Sequence, residues 1–228
     1  RILDLAISGS LQLKHVKKVV IDEVDETLSL GFRTQLSRIV EFLPIKRQHM
    51  VFSATLSEEV SLFLEGFMLS PVRVEAARAG SPIENIDQLA YQVPNFLSKV
   101  ALLRHLIQQT EANSKILVFV SSRALADMLF EEIEASFKDV LGIIHSNKSQ
   151  NFRFDTVHNF QTGAIRVLIA TDLIARGIDV TDVSHVINFD LPDILENYIH
   201  RIGRTGRADK NGNAITFVSE KDDSAIQA

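Results

Sequence analysis

Short apolar runs alternate along the chain with longer segments in which apolar residues recur at helical spacing. The runs, rich in Val, Ile and Leu, predict β-strands at Val16–Ile21, Gln48–Ser53, Val72–Glu75, Gln88–Val93, Lys115–Val120, Val140–Ile144, Val167–Thr171, His185–Phe189 and Ala214–Val218. The segments between them predict helices at Thr34–Leu43, Glu58–Met68, Leu97–Thr110, Ala124–Phe137, Asn151–Gln161 and Ile194–Arg201. Continuous apolar strands that alternate with helices are typical of buried parallel sheets. The pattern therefore predicts an α/β fold.

One interruption of this pattern divides the chain. Within residues 76–85 the sequence Ala-Ala-Arg-Ala-Gly-Ser-Pro has the composition of a turn or linker. We therefore predict a first domain over residues 1–76 with three strands, a linker over 77–85, and a second domain over 86–228 with six strands.

Both ends of the chain resemble helical sequence that has been cut. Arg1–Ile7 has the spacing of an amphipathic helix, and Ser224–Ala228 looks like the start of another. We therefore expect a fragment of a longer protein, whose first domain lacks some of its strands. Such a domain exposes apolar surface, so we expect a domain swap, a dimer or another chain to cover it.

Composition limits the chemistry that the chain can carry. Its 228 residues have a net charge of −5, so binding of nucleic acid has to come from local groups and not from a bulk positive field. The chain contains no cysteine, which excludes disulfides, zinc–thiolate sites and a thiol nucleophile and suits a reducing cytoplasm. No apolar run approaches the roughly 20 residues that span a bilayer. We therefore expect a cytoplasmic protein without membrane contact.

The segment His200–Arg207 places three arginines and a histidine on turns that contain glycine. Clustered arginines repel one another unless they bind an anion, and glycine lets the backbone approach a ligand closely. One interpretation is a phosphate clamp that stabilises charge during phosphoryl transfer, and the other is a solvated basic loop. His200 and Arg204 are four residues apart, so we expect them on one helical face. For Arg201 we expect a structural ion pair.

Two acidic residues follow the first predicted strand directly. Asp22 and Glu23 then lie at the carboxyl edge of a parallel sheet, where such folds bind ligands. Asp22 is a candidate ligand of Mg²⁺, directly or through water, and Glu23 is then free to polarise an attacking water. The alternative is an acidic helix N-terminus after a strand, which suits the helix dipole.

Taken together, the motifs resemble those of the DEAD-box family of ATP-dependent RNA helicases, in the family's order and over essentially the whole chain. The matching segments are Asp22–Asp25, with Val24 for the usual Ala, Ser53–Thr55, Leu117–Ser122, Gln150–Arg153, Ala170–Asp179 and His200–Arg207. The resemblance implies RecA-like domains, the first truncated and the second nearly complete. It also implies an RNA-stimulated ATPase that unwinds short duplexes locally or remodels RNA–protein complexes.

The resemblance assigns ATP and Mg²⁺ as cofactors. It implies that Asp22 binds the metal, that Glu23 activates water and that Asp179 binds the ribose of ATP. Arg204 and Arg207 resemble the arginine fingers that reach the γ-phosphate across an interdomain cleft. The remaining implied nucleotide residue, His200, links that cleft to the Ser53–Thr55 motif.

The resemblance assigns RNA as the partner. Implied contacts to the RNA backbone, which carry little sequence preference, are Arg1, Ser122, Arg153 and Thr171. Coupling between the domains is implied for Asp25, Ser53 and Thr55.

The sequence lacks a Gly-x-x-x-x-Gly-Lys-Thr loop, the main phosphate cradle of such enzymes. We therefore predict that the 228-residue chain alone hydrolyses no ATP, although the full-length protein does. Two other functions remain open: a DNA helicase or translocase of a related family, and a non-catalytic RNA-binding module. His200 with Arg-Ile-Gly-Arg after it argues against DEAH-type relatives, which usually carry Gln there. Against a scaffold stand four intact residues, Asp22, Glu23, Arg204 and Arg207.

Overall fold

The computed structural model describes residues 1–75, 85–172, 180, 183–192, 195–206 and 211–222. The chain divides into two compact units, Arg1–Ser81 and Pro82–Ala228. The division falls inside the segment that the sequence predicts as a linker. Among the described residues, no helix is both long enough and apolar enough to cross a membrane.

The first unit is a two-stranded parallel sheet with four helices. Strand β1 is Lys18–Ile21 and strand β2 is Gln48–Val51, and the helices are α1 (Ile2–Ile7), α2 (Val24–Ser29), α3 (Arg33–Glu41) and α4 (Glu58–Phe67). The sheet packs against apolar residues of α2 and α4, which recur at intervals of three or four and so share a helical face. The buried members of this core are Ile21, Val24, Leu28, Val60, Phe63 and Phe67.

Two sequence predictions for the first unit differ from the structure. The third strand predicted at Val72–Glu75 is wrong: the segment has no regular structure, and Val72 is 89% exposed. Alternating valines favour a strand only where another strand pairs with them, and in the described part of the chain none does. Helix α2 was not predicted because its six residues are too few to show a helical period.

The second unit contains a six-stranded sheet in which every pairing is parallel. Its strands are β3 (Ile86–Gln92), β4 (Ile116–Val120), β5 (Leu141–Ile144), β6 (Val167–Thr171), β7 (His185–Asn188) and β8 (Gly212–Val218). They are arranged in the order β3-β8-β7-β4-β6-β5. The α/β fold with parallel sheets and the six strands of this unit confirm the sequence prediction.

Helices cover both faces of this sheet. They are α5 (Phe96–Gln109), α6 (Arg123–Phe137), α7 (Gln150–Thr162) and α8 (Leu195–Ile202), and a short 3₁₀ turn follows at Glu220–Asp222. Alternate residues of one strand enter different cores: Val118 of β4 packs with α5 and α6, whereas Phe119 packs with α7. Strands buried on both faces explain the continuous apolar runs in the sequence.

In the described part of the second unit, side-chain caps begin α5, α6 and α7. The side chains of Asn95, Ser122 and Ser149 each accept a hydrogen bond from the backbone N–H three residues later, at 3.0, 3.2 and 3.2 Å. Two of these caps, Ser122 and Ser149, follow the carboxyl ends of β4 and β5. The fold therefore presents the amino ends of α6 and α7 at one edge of the sheet, where ligands of parallel sheets bind.

Candidate active site

The acidic pair of the first unit lies at the carboxyl end of β1. Asp22 and Glu23 are both exposed, and Oδ1 of Asp22 accepts a hydrogen bond from the Glu23 backbone N–H at 3.0 Å. Glu23 has the left-handed conformation, with φ 47° and ψ 51°, and is the N-terminal boundary residue of α2. A non-glycine residue in this region costs about 1–3 kcal/mol and points to a functional constraint.

Asp25, two residues after this pair, is hydrogen-bonded to the segment that follows β2. Oδ2 of Asp25 accepts from the backbone N–H of Thr55 at 2.8 Å and from its hydroxyl at 3.0 Å. The Ser53 hydroxyl donates to the Thr55 carbonyl oxygen at 2.6 Å. The structure thus brings together the three residues to which the sequence assigns coupling, within the first unit. Their role in coupling between domains stays a prediction.

The donor set at this edge fits Mg²⁺ only in part. Among the described residues no group of three or more His, Cys, Asp or Glu could hold a metal ion by itself. Mg²⁺ in phosphate-handling enzymes is commonly bound through one or two carboxylates, with waters and substrate phosphates supplying the other ligands. An exposed Asp22 at the sheet edge fits that pattern.

Three of the predicted RNA contacts meet at one edge of the second unit. Thr171 ends β6, and its register partner Val120 ends β4, two residues before Ser122. Arg153 lies in the first turn of α7, which follows the neighbouring strand β5. Its Nε is buried and has no hydrogen-bond partner among the described residues, as is also the case for Nε of Arg47 and of Arg104. Arg1 is exposed at the start of α1, in the first unit.

Sequence reasoning missed a polar cluster at the same edge. His145, directly after β5, is 1% exposed, and its Nε2 lies 3.0 Å from Oδ1 of Asp127 on α6. The Asn147 backbone N–H donates to its Nδ1 at 3.3 Å, so Nε2 carries the proton. Lys148 donates to the same oxygen of Asp127 at 3.1 Å. In the sequence, the signal for this cluster was that His145 directly follows an apolar strand.

This cluster holds Asp127 in its charged form. Burial alone would raise the pKa of the Asp127 carboxyl, but hydrogen bonds from His145 and Lys148 outweigh it and hold that pKa below its ordinary value. Arg123 extends the cluster by donating to the Asn147 side chain at 2.6 Å. The loop between β5 and α7 is therefore fixed to the start of α6.

The ion pair expected for Arg201 is confirmed. Its side chain is 1% exposed, and Nε and one terminal nitrogen donate to the two carboxylate oxygens of Asp172 at 2.6 and 2.7 Å. The other terminal nitrogen donates to the Asp190 carbonyl oxygen at 2.7 Å and to the Asn188 side chain at 3.3 Å. The guanidinium also lies 5.2 Å from the centre of the Phe119 ring. A buried charge is stable when it is satisfied in this way.

Arg204 does not share a helical face with His200, so that prediction is wrong. Helix α8 ends at Ile202, and Arg204 lies in the turn after it, where its backbone N–H donates to the Arg201 carbonyl oxygen at 3.2 Å. The glycine at position 203 ends the helix because glycine favours the end of a helix over its interior. His200 and Arg204 are both half-buried. Two other predicted nucleotide residues, Asp179 and Arg207, lie outside the described residues.

Close backbone approach fixes the turn that carries Arg204. Gly206 has φ 67°, and a Cβ there would lie 2.5 Å from the side chain of Ile86. The hydroxyl of Thr205, which is 2% exposed, donates to the Val183 carbonyl oxygen. Gly212 begins β8 so close to Thr205 that a Cβ there would lie 2.4 Å from the threonine hydroxyl. Contact therefore requires glycine at both positions, and at Gly206 the positive φ requires it as well.

Comparison with known proteins identifies the family of the chain. The profile described as DEAD/DEAH box helicase matches residues 1–63, and the helicase conserved C-terminal domain matches residues 98–209. Eukaryotic initiation factor 4A-1 of Arabidopsis thaliana is 41% identical over 98% of the chain, and the DEAD-box ATP-dependent RNA helicase CshA of Geobacillus kaustophilus is 38% identical over 97%. The chain belongs to the DEAD-box helicase family.

The fold of this DEAD-box chain is RecA-like. A structure of S. cerevisiae Dbp5 bound to RNA and ADP BeF3 matches 99% of the chain with a TM-score of 0.88 and 31% identity. The chain spans about half the length of the curated relatives, 54% of the Arabidopsis protein and 47% of the Geobacillus one, and 59% of the Dbp5 chain. Val24, which replaces the usual alanine of the DEAD-box motif, is fully buried in the core of the first unit.

Proposed function

We propose that the full-length protein is an ATP-dependent RNA helicase, an RNA-stimulated ATPase that separates short duplexes locally or remodels RNA–protein complexes. The names of the relatives support this proposal, as does a structural neighbour whose description includes RNA and ADP BeF3. The observation that carries it is the exposed acidic pair Asp22–Glu23, in which Glu23 has a left-handed backbone conformation. Hydrogen bonds between Asp25 and Thr55 hold the start of the helix that follows the pair.

In the first unit, the proposed roles follow from position and charge. Asp22 would hold Mg²⁺, which when bound supplies positive charge to the phosphates of ATP. Glu23 would accept a proton from the attacking water, because its carboxylate is exposed and the left-handed turn directs the chain away from β1. Asp25, Ser53 and Thr55 would couple nucleotide binding at this site to the second unit.

In the second unit, Ser122, Arg153 and Thr171 are proposed to hold the RNA backbone. The amino ends of α6 and α7 lie at the same edge and add partial positive charge there. Arg153 brings a positive charge to this edge, near the start of α7. Contacts of this kind bind phosphates and sugars and do not distinguish bases. We therefore infer binding of single-stranded RNA with little sequence preference, to which Arg1 of the first unit would contribute.

Arg204 and Arg207 are proposed to stabilise the charge that develops on the γ-phosphate, with Asp179 binding the ribose. Arg201 is not a candidate for this task, because both sides of its guanidinium are occupied by protein groups. His200 stands next to Arg201 at the end of α8 and would connect the nucleotide to the Ser53–Thr55 segment. The two units would therefore serve the same nucleotide, and ATP and RNA would bind with positive coupling.

The proposal is tested by ATPase activity of the full-length protein with and without single-stranded RNA, beside Arg204→Ala. We expect RNA to stimulate turnover and Arg204→Ala to lower kcat by about 10³-fold or more, as loss of an arginine finger does. Arg38→Ala, which removes an exposed arginine of α3, is the matched control and leaves turnover unchanged. Turnover that Arg204→Ala does not alter defeats the finger assignment, and equal stimulation by single-stranded DNA favours a DNA motor.

A further inference from the structure

A buried lysine in the second unit has no part in the roles proposed above. Lys99 of α5 is 7% exposed. Its ammonium donates to the Phe189 carbonyl oxygen at 2.9 Å, lies 3.5 Å from Oδ1 of Asp190 and stands 5.7 Å from the centre of the Phe189 ring. Burial of an ammonium carries a desolvation penalty that an apolar side chain of similar size avoids. The charge at this position therefore points to a task other than packing.

The partner of Lys99 controls the end of a neighbouring strand. Oδ2 of Asp190 accepts hydrogen bonds from the Ser121 backbone N–H at 3.2 Å and from the Ser121 hydroxyl at 3.0 Å. Ser121 is the first residue after β4, and the next residue, Ser122, is the cap of α6 and a proposed RNA contact. The Lys99–Asp190 pair thus fixes the turn in which the RNA contact lies.

The backbone of Asp190 is also bonded to α8, through Arg201. Its carbonyl oxygen accepts from Arg201 at 2.7 Å. Arg201 in turn binds both oxygens of Asp172, the residue after Thr171. Asp190 is therefore bonded to the turn of one proposed RNA contact and, through Arg201, to the helix that ends beside His200 and to the strand end that carries Thr171.

We propose that Asp190, oriented by Lys99, is a positioning residue that couples the RNA contacts of the second unit to the helix preceding Arg204. The inference rests on the proposed function. Because Arg201 of α8 donates to the Asp190 carbonyl oxygen and the Asp190 carboxylate accepts two hydrogen bonds from Ser121, displacement of α8 moves Asp190 and with it the Ser121–Ser122 turn. Nucleotide bound near Arg204 and RNA bound near Ser122 then favour the same arrangement of the hydrogen bonds around Asp190.

The test is the effect of nucleotide on RNA affinity in the full-length protein. The affinity for a fluorescent single-stranded RNA oligonucleotide is measured with and without a non-hydrolysable ATP analogue, and the ratio gives the coupling. Lys99→Met, which replaces the ammonium with an apolar side chain of similar length, is expected to lower this ratio about fivefold or more. The affinity for the analogue in the absence of RNA stays unchanged.

Two further variants separate coupling from stability. Ser121→Ala removes an exposed hydroxyl that donates to Asp190, leaves the fold intact and is expected to lower the ratio in the same direction. Arg166→Met removes a cation that donates to the carbonyl oxygens of Ile107 and Glu111, at the other end of α5, at 2.6 and 2.7 Å. It is expected to lower the melting temperature and to leave the ratio at the wild-type value.

Each outcome decides the inference. A wild-type ratio in both Lys99→Met and Ser121→Ala overturns it and leaves the proposed function intact. An equal loss of coupling in Arg166→Met also overturns it, because the effect is then one of stability. A wild-type protein whose RNA affinity does not respond to the analogue contradicts the proposed function, and the inference falls with it.

Discussion

At the scale of single residues, Glu23 shows how a candidate catalytic residue is held against the preference of its own backbone. The left-handed conformation costs an L-residue about 1–2 kcal/mol. Two backbone hydrogen bonds maintain it: Phe52 N–H donates to the Ile21 carbonyl oxygen at 2.8 Å, and Val24 N–H donates to the Phe52 carbonyl oxygen at 3.1 Å. The strained residue is therefore clamped on both sides by pairing with the next strand.

Comparison of Glu23→Gly with Glu23→Ala measures this strain. Glycine is free of the left-handed penalty but loses about 0.5–1 kcal/mol in conformational entropy. The glycine variant is therefore expected to be more stable than the alanine variant by about 1 kcal/mol. Hydrogen exchange of the Phe52 amide reports the difference. At Arg38, inside α3, the order of the two variants is expected to reverse, and the same order at both positions would contradict the strain.

A second residue makes stability depend on pH near neutrality. His185 begins β7, its Nδ1 lies 3.0 Å from the Ser184 hydroxyl, and partial burial lowers the pKa of its imidazole below the ordinary value. The unfolded chain then binds the proton more readily than the folded one, so the second unit loses stability as pH falls below about 6.5.

The measurement is urea unfolding of the second unit between pH 7.5 and 5.5. Both tyrosines, Tyr91 and Tyr198, lie in this unit and the chain has no tryptophan, so tyrosine fluorescence follows the second unit alone. His185→Gln is expected to flatten the loss of stability over this range, whereas His158→Gln, at an exposed position of α7, leaves it as it was. An equal slope in His185→Gln and the wild type would refute the assignment.

At the scale of elements, loops are fixed by glycines whose tasks differ. Gly163 ends α7 with φ 84° and has open space where a Cβ would lie, whereas Gly206 has φ 67° and no room at all. At Gly163, glycine is favoured only because φ is positive. At Gly206, glycine is favoured by the positive φ and also because a Cβ would overlap the side chain of Ile86.

Alanine at these two glycines separates strain from contact. Gly163→Ala is expected to cost about 1 kcal/mol through its conformation alone. Gly206→Ala carries a similar strain and adds about 1–3 kcal/mol of overpacking against Ile86. Urea unfolding followed by tyrosine fluorescence checks the difference, since Tyr91 and Tyr198 both report this unit. Equal costs at the two positions would show that Ile86 moves aside.

Helices whose apolar residues recur at helical spacing were predictable from the sequence. Features that depend on pairing with a distant segment were not. Helices α4 and α6 were predicted to within one residue at each end, because apolar spacing and the preceding serines mark them. The strand predicted at Val72–Glu75 was wrong because a partner decides a strand. The ion pair of Arg201 was predicted, but not its partner Asp172, which lies 29 residues away and meets it only in the folded sheet.

At the scale of the whole molecule, each compact unit carries its own candidate residues. The first unit carries Asp22 and Glu23, and the second carries Arg204 and the sheet edge with Ser122, Arg153 and Thr171. The motifs nominate the candidate residues, whose roles stay predictions, while the hydrogen bonds of Asp127 and Asp190 required the structure. No sequence period marks a hydrogen bond between two loops that are far apart in the chain.

The 228-residue chain by itself is expected to show no RNA-stimulated ATP hydrolysis above background. Its sequence contains no Gly-x-x-x-x-Gly-Lys-Thr loop, and the described carboxylates and arginines cannot replace the backbone cradle for the phosphates. A phosphate-release assay on the purified chain, with and without single-stranded RNA, checks this. Turnover that rises with RNA and disappears in Glu23→Gln would contradict the expectation.

The position of β8 has a consequence for the order in which the second unit is made. Strand β3 comes first in this unit, yet β8, the last strand, lies between β3 and β7 and is the one strand with which β3 pairs among the described residues. Chains are synthesised at about 5–20 residues per second, so a nascent β3 waits roughly ten seconds for its neighbour. During that interval the ribosome-bound chain presents a strand whose neighbour has not yet been made.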